Sequence, residues 1–486
     1  MNISEIYKIY KECGGRVTTD TRTLMGGELF FALKGENFDG NEYALKALEA
    51  GAAYAVVNAG SRVAGDLSAG RLDEALVNAG GICRLIPVQD TLKTLQELAR
   101  WHRSMTFVDG KPLTVIALTG TNGKTTTKEL IRTVLSVKYR VTATEGNLNN
   151  NIGVPLTLLK INSQTQIAVV EMGASHPGDI KELVDIALPN FGLVTNVGKA
   201  HLLGFGSFEG VMRTKGELYD YLRRTSDKVF VNVDNPHLCR MAAERCLQSD
   251  PERPYSLVLP YGLEYSGASV LPASPQQPFL RISLPGEDGN SLEIRTNLVG
   301  AYNADNVMAA LAVGKHFGVP VEDGVRAIEG YVPSNNRSQM KQTQRNTLIV
   351  DAYNANPTSM AAALDNFAAM CSPQPKILMI GDMLELGEDS LAEHKGVIER
   401  ALKMDCEHIY LVGAEFRRAM DELRCSAPAK ASDDFAGKKE AAGGLLRCFS
   451  TSADLAAYLS ENPVSGRTVL VKGSRGTRME NVVPVL

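Results

Sequence analysis

The feature that most limits how this chain can fold is a glycine-rich segment, residues 120–126, that joins an apolar run to an amphipathic one. The apolar run, residues 115–118, has the length of a buried strand. The predicted helix after the loop has one apolar face, formed by Leu130, Ile131, Val134 and Leu135. A loop between a strand and a helix can direct backbone N–H groups and the helix dipole at a phosphate. The sequence therefore predicts a nucleotide-binding loop.

Two side chains in this loop have the chemistry that a nucleotide with magnesium requires. Lys124 can reach the β- and γ-phosphates, and the Thr125 hydroxyl can bind Mg²⁺. The general motif has a glycine five residues before Gly123, where this chain has Leu118, so the loop is a shortened form. The alternative is an ordinary glycine-rich turn, but strand, loop, Lys-Thr pair and helix together favour nucleotide binding. The predicted nucleotide-binding residues of the loop are Gly120, Thr121, Asn122, Gly123, Lys124, Thr125 and Thr126.

Composition narrows the class of protein. A chain of 486 residues is expected to form about three domains, and 44% hydrophobic with 22% charged residues is typical of a globular protein. A net charge of −4 gives no basic surface for nucleic acid, and no apolar run approaches the ~20 residues that span a bilayer. The first residues lack the apolar core of a signal peptide, and no two cysteines form a C-x-x-C pair. We expect a cytoplasmic protein, monomeric by default, with no nucleic-acid partner and no membrane insertion.

The distribution of apolar runs, helical patterns and turns divides the chain into three α/β ranges. Residues 1–111 hold short strands and turns, with a helical pattern over 91–103. Residues 112–331 alternate apolar runs with amphipathic helices, which predicts a mainly parallel sheet. Residues 332–486 contain a second alternating series and predict a separate α/β domain. Its apolar runs are TLIVDAY, KILMIGD, HIYLVGA and TVLVKGS.

Three segments interrupt this pattern. Residues 59–81 are rich in glycine and alanine, and we interpret them as a surface excursion with no chemistry. The proline-rich and turn-rich residues 259–289 indicate either hairpins or an inserted loop. Residues 427–444 are polar enough to predict a mobile loop.

Several polar residues follow predicted strands, and ligands gather at the carboxyl edge of a parallel sheet. Glu171 can hold Mg²⁺ there or simply face solvent. His201, taken alone, is more often a structural residue than a metal ligand. Arg337 can clamp phosphate or cover surface, and Asp351 ends a predicted strand at a plausible site. Lys215 lies in a helical stretch, where nothing local separates it from a solvated lysine.

The order of these motifs resembles the Mur ligase family over nearly the whole chain. The phosphate loop is followed by TEGNLNNNIGVPLTLL, Glu171-Met-Gly-Ala, TNVGKAH ending at His201, KGE beginning at Lys215, and GAYNADN. Arg337 and Asp351 complete the order. The resemblance implies a small amino-terminal α/β domain for a UDP-sugar, a central P-loop ATPase, and a carboxyl-terminal Rossmann-like domain for the incoming amine. These three domains match the three ranges defined above.

The resemblance also implies roles for single residues. Thr125, Glu171 and His201 are expected to hold Mg²⁺, and Lys215 occupies the position of a carbamoylated lysine that supports the metal site. Asn151 and Arg337 are expected at the transferred phosphate. The implied catalytic residues are Lys124, Glu171, His201, Lys215 and Arg337. The implied nucleotide contacts beyond the loop are Asn303, Arg337 and, at the ribose, Asp351. The implied substrate contacts are Thr21, Arg22, Lys34, Asp39, Asn147, Asn151, Tyr353 and Asn354.

The activity that the resemblance implies is ATP-dependent amide-bond formation in cell-wall synthesis. Segments such as FFALKG and DAYNANPTSM favour addition of D-Ala-D-Ala to UDP-N-acetylmuramoyl-tripeptide (UDP-MurNAc-tripeptide) through an acyl phosphate. One departure is Asn41, where many relatives have histidine, in the segment expected to bind UDP. The alternatives are a ligase with another amine acceptor, a folylpolyglutamate-type ligase, or an ATP-binding conformational switch.

Overall fold

A mainly parallel sheet lies in each of the three predicted domain ranges, with hydrophobic cores on both of its faces. The computed structural model describes residues 1–79, 82–247, 257–274, 276–286, 289–333, 337–426 and 446–486. This architecture confirms the predicted three-part α/β class, with a central P-loop unit and a Rossmann-like carboxyl-terminal unit. The boundaries at 111/112 and 331/332 stay predictions.

Short strands and helices build the amino-terminal range. Its strands are β1 (Val17–Thr18), β2 (Leu29–Phe31), β3 (Tyr54–Asn58), β4 (Asn78–Ala79), β5 (Ile82–Cys83), β6 (Leu85–Val88), β7 (Phe107–Val108) and β8 (Lys111–Pro112). Its helices are α1 (Ile3–Glu12), α2 (Ala44–Glu49), α3 (Arg62–Ser68), α4 (Glu74–Val77) and α5 (Thr91–Ser104). β1, β2, β3 and β6 form a parallel sheet in that order. The helix predicted over 91–103 is confirmed by α5, whose N-cap Asp90 accepts a hydrogen bond from the Lys93 N–H.

The interpretation of residues 59–81 as a surface excursion holds only in part, because most of its described residues are exposed or half-buried but three are buried. The segment forms α3 and α4, and Val63, Ala64 and Val77 are buried in the core on one face of the amino-terminal sheet. Alanine is a strong helix former with little side-chain volume, so this composition suits short helices packed closely on a sheet. Residues 80–81 lie outside the described part of the chain.

Arg84 connects this segment to the rest of its domain. Its guanidinium donates to the carbonyl oxygens of Ala53 and Leu76 at 3.0 Å each, and to two more carbonyls within residues 48–52. Arg84→Ala is expected to destabilise the domain by about 2–3 kcal/mol, because these carbonyls lose their donors. Urea unfolding followed by the fluorescence of Trp101, the one tryptophan of the sequence, measures this loss inside the same domain.

Arg71→Ala is the matched control for this prediction. Arg71 pairs with Asp66 at 2.6 Å, and 62% of its side chain is exposed, so an effect below about 1 kcal/mol is expected from its removal. Equal shifts of the urea midpoint in the two variants would contradict the role assigned to Arg84.

The central range surrounds a six-stranded parallel sheet. Its strands are β9 (Thr114–Thr119), β10 (Val141–Ala143), β11 (Ile167–Glu171), β12 (Phe191–Val194), β13 (Lys228–Asn232), β14 (Val258–Tyr261), β15 (Ser269–Leu271), β16 (Arg281–Pro285) and β17 (Ser291–Arg295). Its helices are α6 (Lys124–Leu135), α7 (Gly153–Leu158), α8 (Asp179–Ala187), α9 (Leu202–Phe205), α10 (Phe208–Thr225), α11 (Pro236–Glu244), α12 (Ala304–His316) and α13 (Val321–Gly330). The sheet order is β10-β11-β9-β12-β13-β14. The strands that follow β9 lie on both sides of it, with β10 and β11 on one side and β12 to β14 on the other. The loop after β9 therefore opens at the switch point of the sheet, where ligands bind.

The turn-rich residues 259–289 contain hairpins. β15, β16 and β17 pair antiparallel, and β14 adds the last parallel strand to the central sheet. Of the two structures that the sequence left open, hairpins are therefore confirmed for the described part of this segment. Residues 275 and 287–288 lie outside it.

The carboxyl-terminal range contains a second six-stranded sheet. Its strands are β18 (Gln339–Gln342), β19 (Thr347–Asp351), β20 (Lys376–Gly381), β21 (His408–Val412), β22 (Leu446–Phe449) and β23 (Thr468–Lys472). Its helices are α14 (Pro357–Ala369), α15 (Ser390–Leu402), α16 (Ala414–Ser426) and α17 (Ser452–Glu461). The order is β18-β19-β23-β20-β21-β22, and β18 is antiparallel to the rest. The predicted apolar runs become β19, β20, β21 and β23, whereas the loop predicted over 427–444 lies outside the described residues.

One hydrophobic core is common to the amino-terminal and central ranges. It contains Ile6 and Leu98 from the first range together with Leu158 from the second. At the same contact, the Tyr10 hydroxyl donates to the Leu159 carbonyl at 2.8 Å. The carboxyl-terminal range has separate cores, built mainly from its own residues. None of the helices in the described ranges combines the length and apolar character that a bilayer crossing needs.

Candidate active site

A cavity of about 840 Å³ lies where the carboxyl edge of the central sheet faces the carboxyl-terminal range. Its lining includes the phosphate loop, Glu171 at the end of β11, His201 after β12, and Asp351 at the end of β19. Parallel sheets bind ligands at this edge. A cavity that both sheets line can therefore hold two ligands next to each other.

The phosphate loop is held by the residues that follow β12. The Asn122 N–H donates to Oδ1 of Asn196 at 2.9 Å, and the Thr121 N–H donates to the Asn196 carbonyl at 3.0 Å. Thr195 Oγ1 donates to the Asn122 carbonyl at 2.6 Å. These bonds fix the loop without a ligand, so little ordering entropy is lost when phosphate binds.

Two positions in the loop require glycine. Gly120 has a φ of +151°, and a Cβ there would lie 2.0 Å from Thr195 Oγ1. Gly123 is the N-cap of α6 with a φ of +77°, in the left-handed region. Because Gly123 carries no side chain, the first N–H groups of α6 are not capped by it and are available to phosphate oxygens.

The Lys124 ammonium lies against the loop. Its Nζ donates to the carbonyl oxygens of Gly120 at 2.7 Å and Thr121 at 3.1 Å. Burial lowers the pKa of Lys124 to about 8, and the negative charge of Glu171 opposes that shift. The side chain is therefore still charged at neutral pH, in surroundings where its attraction to phosphate is stronger than in water.

Glu171 and Thr125 form the second polar group of the cavity. Glu171 is 1% exposed, and its Oε2 accepts a hydrogen bond from Thr125 Oγ1 at 2.9 Å. Its Oε1 accepts from Asn149 Nδ2 at 2.8 Å, and its backbone N–H donates to Thr144 Oγ1 at 3.0 Å. The carboxylate is thus held on both oxygens, directly beside the hydroxyl that the loop motif assigns to Mg²⁺.

These donors fit a magnesium ion that is held together with a nucleotide. Mg²⁺ in such sites takes one or two protein oxygens and completes its octahedron with phosphate oxygens and water. Thr125 and Glu171 supply a hydroxyl and a carboxylate of that kind. No group of three His, Cys, Asp or Glu side chains in the described ranges forms an all-protein metal site. The ligand set predicted from Thr125, Glu171 and His201 stays a prediction.

Arg337 has a buried donor available for a ligand. Its Nε is buried and has no hydrogen-bond partner among the described residues. Its guanidinium carbon lies 3.6 Å from the centroid of the Tyr353 ring, and this stacking fixes the guanidinium plane. A buried N–H without a partner is unfavourable, and a phosphate oxygen can supply the partner. The geometry suits the predicted phosphate contact.

Lys472 was not predicted and pairs with Asp351. The Lys472 Nζ lies 2.6 Å from Asp351 Oδ2 and also donates to the Asn354 carbonyl at 3.2 Å. β19 and β23 are neighbours, so both residues stand at the same carboxyl edge. The buried Lys472 fixes the half-buried Asp351 carboxylate, which remains able to accept from the hydroxyls of a ribose. The signal in the sequence is the position of Lys472 at the end of an apolar run.

Asn303 connects the loop to α12. Its Nδ2 donates to the Val299 carbonyl at 2.9 Å, and its Oδ1 accepts from Asn306 Nδ2 at 2.9 Å. Asn306 Oδ1 in turn accepts from Thr127 Oγ1 at 2.9 Å, on the first turns of α6. The second N–H of the Asn303 amide is available for the predicted nucleotide contact.

The central and carboxyl-terminal ranges touch beside the phosphate loop. We call the set of polar contacts there the interdomain seam. Its pairs are His201 Nδ1 with Glu385 Oε2, Lys199 Nζ with Glu393 Oε1 at 2.7 Å, and Asn356 Nδ2 with Asn122 Oδ1 at 2.8 Å. Burial lowers the pKa of His201, which favours the neutral ring with one free lone pair.

Lys215 is buried on α10, outside the lining of the cavity. Its Nζ lies 5.5 Å from the centroid of the Phe205 ring and makes no hydrogen bond within the described residues. Burial, and after it the charge of Lys124, lowers its pKa well below the ordinary lysine value. A neutral amine is the form that adds to CO₂, so the structure suits the predicted carbamate.

The predicted residues of the amino-terminal range do not line the central cavity. Thr21 and Arg22 follow β1, and Lys34 and Asp39 follow the neighbouring β2, so these segments lie at one edge of the sheet. Arg22 pairs with Asp20 at 2.7 Å, and Lys34 lies 3.9 Å from Asp39. The substrate roles of these residues stay predictions.

Two exposed aromatic rings accompany this edge and were not predicted. Phe38 and Tyr43 stack with centroids 5.3 Å apart, although their residues are 55% and 37% exposed. An exposed aromatic pair beside cationic side chains is suited to a planar base with an attached diphosphate. The local signal is their spacing around the Asp39-Gly40-Asn41 turn.

Asn41, the departure from the family pattern, has a structural role. It is 5% exposed, its Nδ2 donates to Asp39 Oδ1 at 2.6 Å, and its Oδ1 accepts from the Asn58 N–H at 2.8 Å. The amide therefore holds the turn after β2 against the end of β3. Both side-chain hydrogen bonds of Asn41 are made to protein atoms and hold the turn in shape.

The cavity brings together most of the predicted central and carboxyl-terminal residues. These are Thr121, Asn122, Gly123, Lys124, Thr126, Asn147, Asn151, Glu171, His201, Asn303, Arg337, Asp351, Tyr353 and Asn354. Thr125 does not line the cavity but donates to Glu171, which does, and Gly120 lies against Thr195. Lining residues that were not predicted include Asn149, Tyr302, Asn306, Thr358 and Lys472.

Comparison with known proteins agrees with this arrangement. Three family models match successive parts of the chain: the catalytic domain of the Mur ligase family over residues 16–103, the Mur ligase middle domain over 118–314, and the Mur ligase glutamate ligase domain over 336–475. The UDP-N-acetylmuramoyl-tripeptide–D-alanyl-D-alanine ligase of Bacillus subtilis is 32% identical over 96% of this chain and 92% of its own. The chain belongs to the Mur ligase family. The Escherichia coli ligase of the same name is 32% identical over 97% of this chain and 93% of its own.

Solved structures of Mur ligases have the same fold. MurF from Acinetobacter baumannii aligns with a TM-score of 0.76 and 28% identity, over 96% of this chain and 92% of its own. MurF from Thermotoga maritima, solved in complex with ADP, aligns with a TM-score of 0.74 and 25% identity, over 97% and 96%. The predicted resemblance to the Mur ligase family is thus confirmed.

Proposed function

We propose that this chain is an ATP-dependent ligase that joins D-Ala-D-Ala to UDP-MurNAc-tripeptide, as a monomer in the cytoplasm. The observation that carries the proposal is the 32% identity, over 96% of the chain, to a relative named for that reaction. Because the similarity spans all three ranges, it includes the regions for both substrates and not only the nucleotide site.

The chemistry requires activation of the substrate carboxylate, which is a poor electrophile. Transfer of the γ-phosphoryl group of ATP to a carboxylate oxygen gives an acyl phosphate and ADP. The amine nitrogen of D-Ala-D-Ala then attacks the carbonyl carbon, the bond from that carbon to the phosphate oxygen breaks, and the nitrogen loses a proton. The products are an amide, ADP and inorganic phosphate.

The residues of the cavity stabilise the charge that both steps place on oxygen. The loop N–H groups, Lys124 and Arg337 hold phosphate oxygens, and they are fixed in place before the ligand binds. Glu171 and Thr125 would hold Mg²⁺, which when bound offsets phosphate charge. No side chain has to act as a nucleophile.

The interdomain seam joins residues 332–486, the range proposed to bind the amine, to the phosphate loop. Asn356 is the N-cap of α14 and donates to Asn122, so the first turn of α14 lies beside the phosphate loop. A domain that closes over the acyl phosphate brings the amine to it and keeps water away. This arrangement supports a ligase over a simple nucleotide hydrolase.

The proposal is tested by phosphate release from ATP in the presence of UDP-MurNAc-tripeptide and a panel of amines: D-Ala-D-Ala, D-Ala, D-Glu, L-Lys and diaminopimelate. Release that needs both the tripeptide and D-Ala-D-Ala is the expected result. Release with a different amine would move the chain to another acceptor. Release without any carboxylate substrate would favour the conformational switch and overturn the proposal.

Phe38→Ala tests the amino-terminal substrate site. Loss of the exposed ring that stacks on Tyr43 is expected to raise the KM for UDP-MurNAc-tripeptide about tenfold or more, because stacking on a base contributes roughly 1–3 kcal/mol. The KM for ATP and kcat are expected to change little, since the ring is outside the central cavity.

Phe107→Ala is the control for Phe38. Phe107 is 57% exposed, close to the 55% of Phe38. It lies on β7, near the carboxyl-terminal end of the amino-terminal range. An unchanged KM for the UDP substrate in the Phe38 variant, or an equal rise in both variants, would contradict base stacking at Phe38.

A further inference from the structure

The interdomain seam contains one contact that involves a predicted metal ligand directly. His201 Nδ1 is hydrogen-bonded to Oε2 of Glu385, a residue between β20 and α15 in the carboxyl-terminal range. The Glu385 carbonyl also accepts from the Leu203 N–H at 3.4 Å, so backbone and side chain of Glu385 both contact the His201 segment. In the sequence, the two residues are 184 positions apart.

Both residues of this contact have an unusual backbone conformation. His201 has a φ of +50° and Glu385 a φ of +64°, in the left-handed region that side chains other than glycine rarely adopt. Such a conformation costs of order 1–3 kcal/mol and persists only where surrounding structure imposes it. The hydrogen bond therefore joins two residues whose backbone conformation is imposed by the structure around them.

The segment that carries Glu385 is held by its own domain through the two residues that precede it. The Met383 N–H donates to Nε2 of the fully buried His394 at 3.1 Å, and the Leu384 N–H donates to Ser474 Oγ at 3.0 Å. The side chain of Glu385 is 59% exposed and, among the described residues, makes no hydrogen bond within its own domain, which separates its function from folding. The domain therefore presents this carboxylate to its neighbour in a fixed position.

An imidazole that donates through Nδ1 keeps the lone pair of Nε2 for a cation. Carboxylates commonly bind the outer nitrogen of a metal-bound histidine in this way and fix both tautomer and ring orientation. We propose that Glu385 is a positioning residue that orients His201 for Mg²⁺ only when the carboxyl-terminal domain is docked. The inference rests on the proposed function. It connects docking of the amine-binding domain to completion of the magnesium site.

The first test reads the imidazole directly. In the full-length protein with ¹⁵N-labelled histidine, the His201 signal is assigned by its absence in His201→Gln. We expect the Nδ1–H tautomer in the unsubstituted chain and the Nε2–H tautomer in Glu385→Ala. Glu385→Gln keeps an acceptor oxygen without the charge and is expected to retain the Nδ1–H tautomer. An unchanged tautomer in Glu385→Ala would overturn the proposal.

The second test measures the requirement for magnesium. Glu385→Ala is expected to raise the Mg²⁺ concentration for half-maximal phosphate release about 10–100-fold, the usual effect of losing such a partner. The matched control is Glu393→Ala, which removes the contact to Lys199 in the same seam and leaves His201 untouched. A seam that only docks the domains would give the same Mg²⁺ requirement in both variants, and that result would overturn the proposal.

Failure of this inference can be told apart from failure of the proposed function. The tautomer is read without substrates, and the amine requirement is read in the unsubstituted chain. Circular dichroism of each variant confirms that it is folded. A chain that releases phosphate with a different amine but shows the expected tautomer change would retain the role of Glu385 and lose only the assigned acceptor.

Discussion

Lys124→Ala is expected to lower kcat/KM for ATP by about 10³-fold, the upper end for loss of one preorganised charge donor. The side chain contacts Gly120 and Thr121 through Nζ, within the loop that surrounds the phosphates. Arg337 does not replace the charge lost with Lys124, because it belongs to the carboxyl-terminal range and does not occupy the same position. Steady-state phosphate release at varied ATP concentration, with UDP-MurNAc-tripeptide and D-Ala-D-Ala saturating, measures the effect.

Two further variants make this result specific. Lys124→Arg keeps the charge, but a planar guanidinium does not fit a position where Nζ lies within 3.1 Å of two loop carbonyls, so activity is expected to stay within tenfold of the alanine variant. Lys160→Ala removes a lysine of the same domain that pairs with Glu145 on the surface and is expected to leave kinetics unchanged. More than a tenth of normal activity in Lys124→Ala would contradict the phosphate role.

Lys215→Ala is expected to lower kcat about 100-fold, whereas Lys215→Glu is expected to recover part of that loss. The reason is the proposed carbamate: the neutral amine adds to CO₂, a nitrogen–carbon bond forms, a proton is released, and a buried neutral group becomes an anion. Glu is shorter than the carbamate but carries the same charge. Phosphate release at saturating Mg²⁺ compares the three forms.

Depletion of CO₂ separates the carbamate from a purely structural lysine. The unsubstituted chain is expected to lose activity in CO₂-depleted buffer and to regain it with bicarbonate, whereas Lys215→Glu is expected to respond to neither. Arg213→Ala alters the exposed side of the same helix and is expected to be neutral. Full activity in Lys215→Ala would refute the role of this side chain.

Features written in a continuous stretch of sequence were predictable. The phosphate loop, its flanking strand and α6 form one local unit, and each buried strand of the carboxyl-terminal sheet is an apolar run. Composition was a poor guide at residues 59–81, because a segment rich in alanine and glycine has no hydrophobic period, although Val63, Ala64 and Val77 pack in the core on the sheet. Composition alone does not distinguish a surface turn from a thin layer of helices.

Features that depend on docking between distant segments were not predictable. Within the run Asn147–Asn151 nothing in the sequence selects Asn149 as the residue that contacts Glu171, since the choice depends on the turn before α7. Nothing in the sequence distinguishes Glu385 from any other glutamate in a loop, and only the contact with His201 does so. Lys472 became significant when β23 paired with β19 and brought it to Asp351.

The core common to the first two ranges affects how the chain can be divided into fragments. Cutting near residue 111 would expose Ile6, Leu98 and Leu158 to water, so each piece would carry an apolar face that favours aggregation. A cut near residue 331 mainly interrupts polar contacts, because the last range has cores of its own. For expression of a soluble portion, residues 1–331 therefore form one unit and residues 332–486 the other.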